Sequence, residues 1–185
     1  MKRTVLIFLS LALAACAKES LQATYDKQTS YIEGFLSTQM QRDPTATLLI
    51  RDGVYRLNLH DTLDATLHRT DSLHVGGKVA LYYGCFTLTG NTVSSSNLVA
   101  TNLKELAIQA KWNLTDTTRY KLDTLTLDKS LVPGLVTGLK GVQPLDEGYI
   151  LFTGKYGYGA SEKGTIPARS AMAYYFWIEN ISNED

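Results

Sequence analysis

The side chains best able to do chemistry are few and scattered. The chain has two cysteines, Cys16 and Cys85, and three histidines, His60, His68 and His74. The histidines sit in polar, loop-like surroundings with neither ligand spacing nor a cysteine partner, so they read as surface residues and no metal site is expected. No Gly-x-Ser-x-Gly occurs, which leaves a hydrolase triad without an anchor. Gly154-Lys155-Tyr156-Gly157-Tyr158-Gly159 is glycine-rich, but it lacks the order of a phosphate loop and opens no helix. Cys85 lies between Tyr82-Tyr83-Gly84 and Phe86, a strand-like setting with no histidine nearby, and reads as a buried, inert thiol. Apart from one further pattern, the residues look chemically empty. The densest pattern lies between residues 131 and 181. It runs Leu131-Val132-Pro133-Gly134-Leu135, Gly138-Leu139-Lys140-Gly141-Val142, Tyr156-Gly157-Tyr158-Gly159, Ile166-Pro167, and Met172 through Ile178.

The elements that must position these residues can be read from periodicity and punctuation. Leu21, Tyr25, Ile32, Phe35, Leu36 and Met40 recur at helical spacing, predicting a helix from Ser20 to Met40 that stops at Asp43-Pro44. Two apolar runs flank Asp52-Gly53, whose tolerance of positive φ suits a tight hairpin. Lys78 to Thr89 reads as a strand. Asn102 with Glu105 three positions on suggests the capped start of a short helix carrying Leu103, Leu106, Ala107 and Ala110. Leu122 to Leu127 alternates like a strand. Pro133 suits the first turn of another short helix, where its missing N–H costs nothing. Tyr149 to Phe152 and Met172 to Ile181 are the last strands. In the final strand Met172, Tyr174, Phe176 and Ile178 form one face, and Ala173, Tyr175 and Trp177 the other. With both faces apolar, something must cover the outer one. The N-terminal helix, through Tyr25, Ile32 and Leu36, is the expected cover; a dimer or client contact through Tyr175 and Trp177 is the rival.

Order and spacing of the pattern resemble the C-terminal half of the FK506-binding-protein (FKBP) family of peptidyl-prolyl isomerases, and residues 77 to 182 span such a domain. The resemblance implies an α+β fold, an antiparallel sheet wrapped around one short helix, here with an N-terminal helix and β-hairpin extension over residues 16–76. It implies that Tyr82, Val132 (by its backbone N–H), Tyr158 and Tyr174 form the catalytic set. Val93, Leu131, Leu135 and Ile166 would supply the apolar walls that hold a proline ring. The implied activity is cis–trans isomerisation of X–Pro bonds in exported proteins during folding, with proline-containing polypeptides as clients and no cofactor. The barrier arises from amide resonance. A pocket that binds the twisted amide better than either planar form lowers it with no bond made or broken.

The sequence departs from the family pattern at several places. Ser94, in Val93-Ser94-Ser95-Ser96, stands where the family has an acid, Leu135 where it often has tryptophan, and Val93 where it has phenylalanine. These changes predict a wider, blunter pocket. An insertion at 97–120 could add a wall, with Trp112 the candidate. The alternative reading is a non-catalytic FKBP-like peptide-binding or chaperone module of the cell envelope.

The N-terminus reads as an address. Lys2 and Arg3 precede an apolar run too short to span a bilayer, followed by Leu13-Ala14-Ala15-Cys16. This resembles a bacterial lipobox, implying that residues 1–15 are removed and Cys16 is lipidated, anchoring the chain to a membrane of the cell envelope. Cys85 is then left alone, so no intramolecular disulfide is expected. Asp61-Thr62-Leu63, Asp71-Ser72-Leu73, Asp116-Thr117-Thr118 and Asp123-Thr124-Leu125 resemble the short O-glycosylation motif of Bacteroidetes envelope proteins. Eighteen basic residues balance eighteen acidic ones without a basic block, which argues against nucleic acid as a partner.

Overall fold

A computed structural model describes residues 2–59 and 72–183, with side chains from Ser20 onward. Helix α1 (Lys2–Arg42) ends where Asp43-Pro44 follows, and the turn is closed by Asp43 N–H donating to the Gln39 carbonyl at 2.8 Å. No helix among the described residues is long and apolar enough to cross a membrane. Strands β1 (Thr47–Arg51) and β2 (Val54–Leu59) form the expected hairpin, with Asp52 at φ 50° and Gly53 at φ 77°. There follow β3 (Lys78–Thr87), β4 (Leu98–Thr101), α2 (Lys104–Gln109), β5 (Asp123–Thr126), α3 (Pro133–Leu139), β6 (Glu147–Phe152) and β7 (Met172–Ser182).

All pairings are antiparallel, in the order β1-β2-β6-β7-β3-β4, with β5 also on β3. The hairpin extension is thus part of the same sheet as the rest, because β2 pairs with β6 from Val54↔Phe152 to Leu59↔Glu147. The sheet separates two apolar clusters. On its inner face Val79, Leu81 and Cys85 of β3, Ile150 and Phe152 of β6, and Met172, Tyr174, Phe176 and Ile178 of β7 pack around α3. On its outer face Ile32, Phe35 and Leu36 of α1 pack with Leu57, Leu151, Ala171 and Ala173.

The outer cover is therefore α1, as expected, carried by Ile32, Phe35 and Leu36, all fully or nearly fully buried. Each such burial contributes about 1.5–3 kcal/mol. Phe35 meets the edge of Tyr149 (5.0 Å between centroids), and Tyr149 meets Tyr175 (5.6 Å). Tyr25 is only half-buried and outside this cluster, and Trp177 remains exposed beyond the helix.

Two details depart from expectation. Asn102 does not cap α2; Leu103 holds that position. Asn102 turns inward instead, accepting from Tyr83 N–H at 2.7 Å and donating to the Leu81 and Lys121 carbonyls at 2.9 and 3.0 Å, so it clamps the insertion to β3. A buried amide that can satisfy three backbone groups at once is better used there than at an open helix end. Trp112 does not reach the inner face; it packs with the outer cluster, because α2 lays Leu106 over Gly84 on that side of the sheet.

Helix α3 is held at both ends. Gly134 N–H donates to the Tyr156 carbonyl at 2.8 Å. Gly134 and Gly138 let the helix lie directly on β6, since a Cβ at either would come within 2.3 Å of Phe152 or Ile150. At the C-terminal end, Arg56 of β2 donates through Nη1 to the Gly138 and Lys140 carbonyls at 3.1 and 3.0 Å. A cation there also opposes the partial negative charge of the helix end.

Candidate functional site

Leu131 closes a turn on Asp128, Val132 approaches α3 in extended backbone, Pro133 opens it, and Leu135 and Leu139 then share the face turned toward the sheet. Between that face and the inner side of β3, β5, β6 and β7 lies a cavity of about 220 Å³. Leu131, Leu135 and Leu139 line it from the α3 side, Ile150 and Phe176 from beneath, and Leu81, Tyr83, Cys85, Ala100 and Leu125 from the far wall. Tyr158, Ile166, Tyr174 and Tyr175 complete it. Five residues expected in a pocket from sequence, Leu131, Leu135, Tyr158, Ile166 and Tyr174, therefore border one space although they come from four separate segments.

The polar groups here are neutral donors. The Tyr174 ring stacks on Phe152 (5.8 Å between centroids, 22° between planes), and its hydroxyl interacts with the Cys85 thiol and the Tyr158 hydroxyl. Burial, with Cys85 and Tyr158 adding to it, drives the Tyr174 hydroxyl far above the usual phenol range. Burial likewise pushes the Cys85 thiol up to about 12, with the Tyr174 hydroxyl pulling weakly the other way. The Tyr83 hydroxyl is raised by burial first and then by the Asp123 carboxylate. Cys85 is thus a neutral thiol, as its strand setting implies, and the cavity presents hydroxyls against apolar walls with no carboxylate among its lining residues. Such a site can hold an apolar ring and donate to a carbonyl oxygen; it has no group able to attack one.

Two of the expected residues, Tyr82 and Val93, lie on the other face of the sheet. Tyr82 points to the outer face, where it meets Trp177 (6.1 Å between centroids), and Tyr83 takes its place at the cavity wall. The two tyrosines are adjacent, and in a strand one residue decides the face. The period-two run Val79, Leu81, Tyr83, Cys85 carried the correct signal. Val93 packs in the outer cluster, because the segment after β3 folds back over that face. Asn97 holds this segment through Nδ2 to the Thr87 carbonyl (3.1 Å) and Thr89 Oγ1 (2.9 Å). Ser94 is carried with it to an exposed turn, its hydroxyl 2.7 Å from that of Ser96. Val132 contributes no cavity wall; it is the residue at which extended chain becomes helix, and no described backbone group accepts from its N–H. Cys16 lies in the part of α1 whose side chains are outside the described residues, as do His60, His68 and Asp61-Thr62-Leu63 in the chain between β2 and β3. Leu81, Cys85, Ala100 and Leu125 are lining residues that sequence reasoning missed.

No family model and no curated protein matches the chain. Solved structures do. The crystal structure of FkpA from Escherichia coli superimposes with a TM-score of 0.56 at 12% identity, over 98% of this chain and 71% of that one. A peptidyl-prolyl cis-trans isomerase from Pseudomonas syringae pv. tomato gives 0.57 at 13% identity, over 88% of this chain and 96% of that one. The fold is FKBP-like. At such identities the likeness is one of architecture, α helix and antiparallel sheet included. Within the FKBP-like fold of this chain, the cavity between α3 and the sheet is the place where tyrosine hydroxyls and apolar walls converge.

Proposed function

We propose that this FKBP-like chain is a peptidyl-prolyl cis–trans isomerase that accepts the proline of an X–Pro bond in the cavity between α3 and the sheet. The observation that carries the reading is the convergence of Leu131, Leu135, Tyr158, Ile166 and Tyr174 on one apolar space with neutral hydroxyl donors. In this reading the walls desolvate the proline ring and the X–Pro amide. Desolvation favours the less polar twisted amide over the resonant planar one, and a Tyr158 hydroxyl aimed at a flanking carbonyl fixes the peptide while the bond turns. A 10⁴-fold acceleration corresponds to about 5.5 kcal/mol of differential binding. The Val132 N–H, at the mouth of α3, is the backbone donor we assign to a peptide carbonyl.

The acid-free lining favours a second reading, a peptide-binding module of the same fold whose cavity holds proline without accelerating its isomerisation. We further propose that Leu13-Ala14-Ala15-Cys16 directs lipidation of Cys16, so that α1 leads from a membrane of the bacterial envelope to the sheet and the clients are exported polypeptides. The test is the cis-to-trans rate of a Leu-Pro peptide with residues 17–185, alongside Tyr158→Phe and Tyr174→Phe. Acceleration that falls in both variants supports the isomerase. A folded protein that binds the peptide and leaves its rate unchanged supports the module.

A further inference from the structure

We propose that Gln28 of α1 is a positioning residue for the cavity, joining the N-terminal helix to the two loops that carry Tyr158 and Ile166. The inference rests on reading the cavity as the peptide site. The Gln28 side chain uses both ends of its amide. Nε2 donates to the Arg169 carbonyl at 2.6 Å, and Oε1 accepts from Gly154 N–H at 2.9 Å. These two partners open one loop and close the other. Gly154 begins the turn that presents Tyr158, and its carbonyl accepts from Gly159 N–H at 3.2 Å. Arg169 ends the loop that presents Ile166, and its N–H donates to the Gly159 carbonyl at 2.6 Å.

Gln28, Gly154, Gly159 and Arg169 thus form a closed ring of hydrogen bonds. Tyr158 is one residue from a ring member and Ile166 three. The loops meet backbone to backbone at this point: a Cβ on Gly154 would lie 2.3 Å from the Arg169 carbonyl, so glycine is required there. Arg169 holds a left-handed backbone (φ 58°), a conformation a non-glycine residue keeps only when its surroundings impose it. Only a side chain offering one donor and one acceptor at this length satisfies both loops. The pocket's outer wall is therefore set in part by α1, which packs on the opposite face of the sheet.

The experiment compares the full chain with Gln28→Met and Gln28→Glu by amide chemical shifts and by isomerase kinetics. Methionine keeps length and volume but neither hydrogen bond. Glutamate keeps the acceptor, and only its protonated form restores a donor toward Arg169. The proposal expects Gln28→Met to shift the amides of residues 154–159 and 166–169 while those of α3 stay in place, and to lower kcat/KM about 5-fold, mainly through KM. It expects the Gln28→Glu shifts to return toward the parent as pH falls below about 4, the ordinary range of a glutamate. Unmoved loop amides in Gln28→Met, or no pH-dependent return in Gln28→Glu, would overturn it. Loop shifts with the expected pH return in a chain that never accelerates isomerisation would overturn the isomerase reading and leave the positioning role standing.

Discussion

The two faces of the central strands are built from equally apolar residues and put to opposite uses. On the outer face Ala173 and Tyr175 of β7 are covered by Ile32, Phe35 and Leu36, and the space is filled. On the inner face Tyr174 and Phe176, their immediate neighbours, border a cavity of about 220 Å³ that α3 roofs and leaves unfilled. Close packing is the default for a protein interior, so an unfilled apolar space has to be held open by its frame. Here the frame is the contact of Gly134 and Gly138 with β6, the Arg56 clamp on the end of α3 and the Gln28 ring behind the two loops. The outer face supplies stability; the inner face gives up packing around the space proposed as the peptide site.

That contrast can be attacked from its strongest side first. Phe35→Ala should cost about 3–5 kcal/mol in urea unfolding, as expected for a buried aromatic, with activity per folded molecule unchanged. Raising pH should expose the inner face. Cys85 has a folded pKa raised from 9.0 to about 12, so its contribution is complete below pH 9 and is lost as pH rises toward 12. At 1.36 kcal/mol per unit this amounts to about 4 kcal/mol at most. A Cys85→Ala variant should show a shallower alkaline loss in a pH series of thermal melts. Leu135→Ala, beside space that already exists, should cost only about 2 kcal/mol yet lower kcat/KM at least 10-fold, the reverse of the Phe35 pattern. Tyr158→Phe should leave stability within about 1 kcal/mol and lower kcat/KM about 5-fold, the worth of one hydrogen bond. Trp177→Ala, exposed on the uncovered end of the outer face, should change neither by more than about 0.5 kcal/mol.

Much of this division was legible beforehand. The alternation of β7 is unbroken from Met172 to Ile178, so both its faces and the need for a cover could be read directly, and Ile32 and Leu36 could be named as that cover. The Asp52-Gly53 turn and the Pro133 helix start follow from backbone chemistry that admits few alternatives. The cavity wall on β3 was misread because Tyr82 and Tyr83 are adjacent and chemically identical, and only the register against β7 separates them. Val93 and Trp112 were misplaced because the path of a long connection is set by tertiary contacts, Asn97 to Thr87 and Leu106 to Gly84, that no local pattern announces. Asn102 illustrates the same limit: its local signal for a cap is real, and a buried need for three hydrogen-bond partners overrode it.

The central claim is that the unfilled inner face, and not the aromatic pair on the outer one, is where a proline-containing peptide binds. Titrating the chain with a Leu-Pro peptide while following assigned amide and side-chain resonances tests it directly. The account predicts perturbations at Tyr83, Leu135, Tyr158, Ile166 and Tyr174, with Tyr82 and Trp177 unmoved. Perturbations centred on Tyr82 and Trp177, with the cavity residues silent, would contradict it.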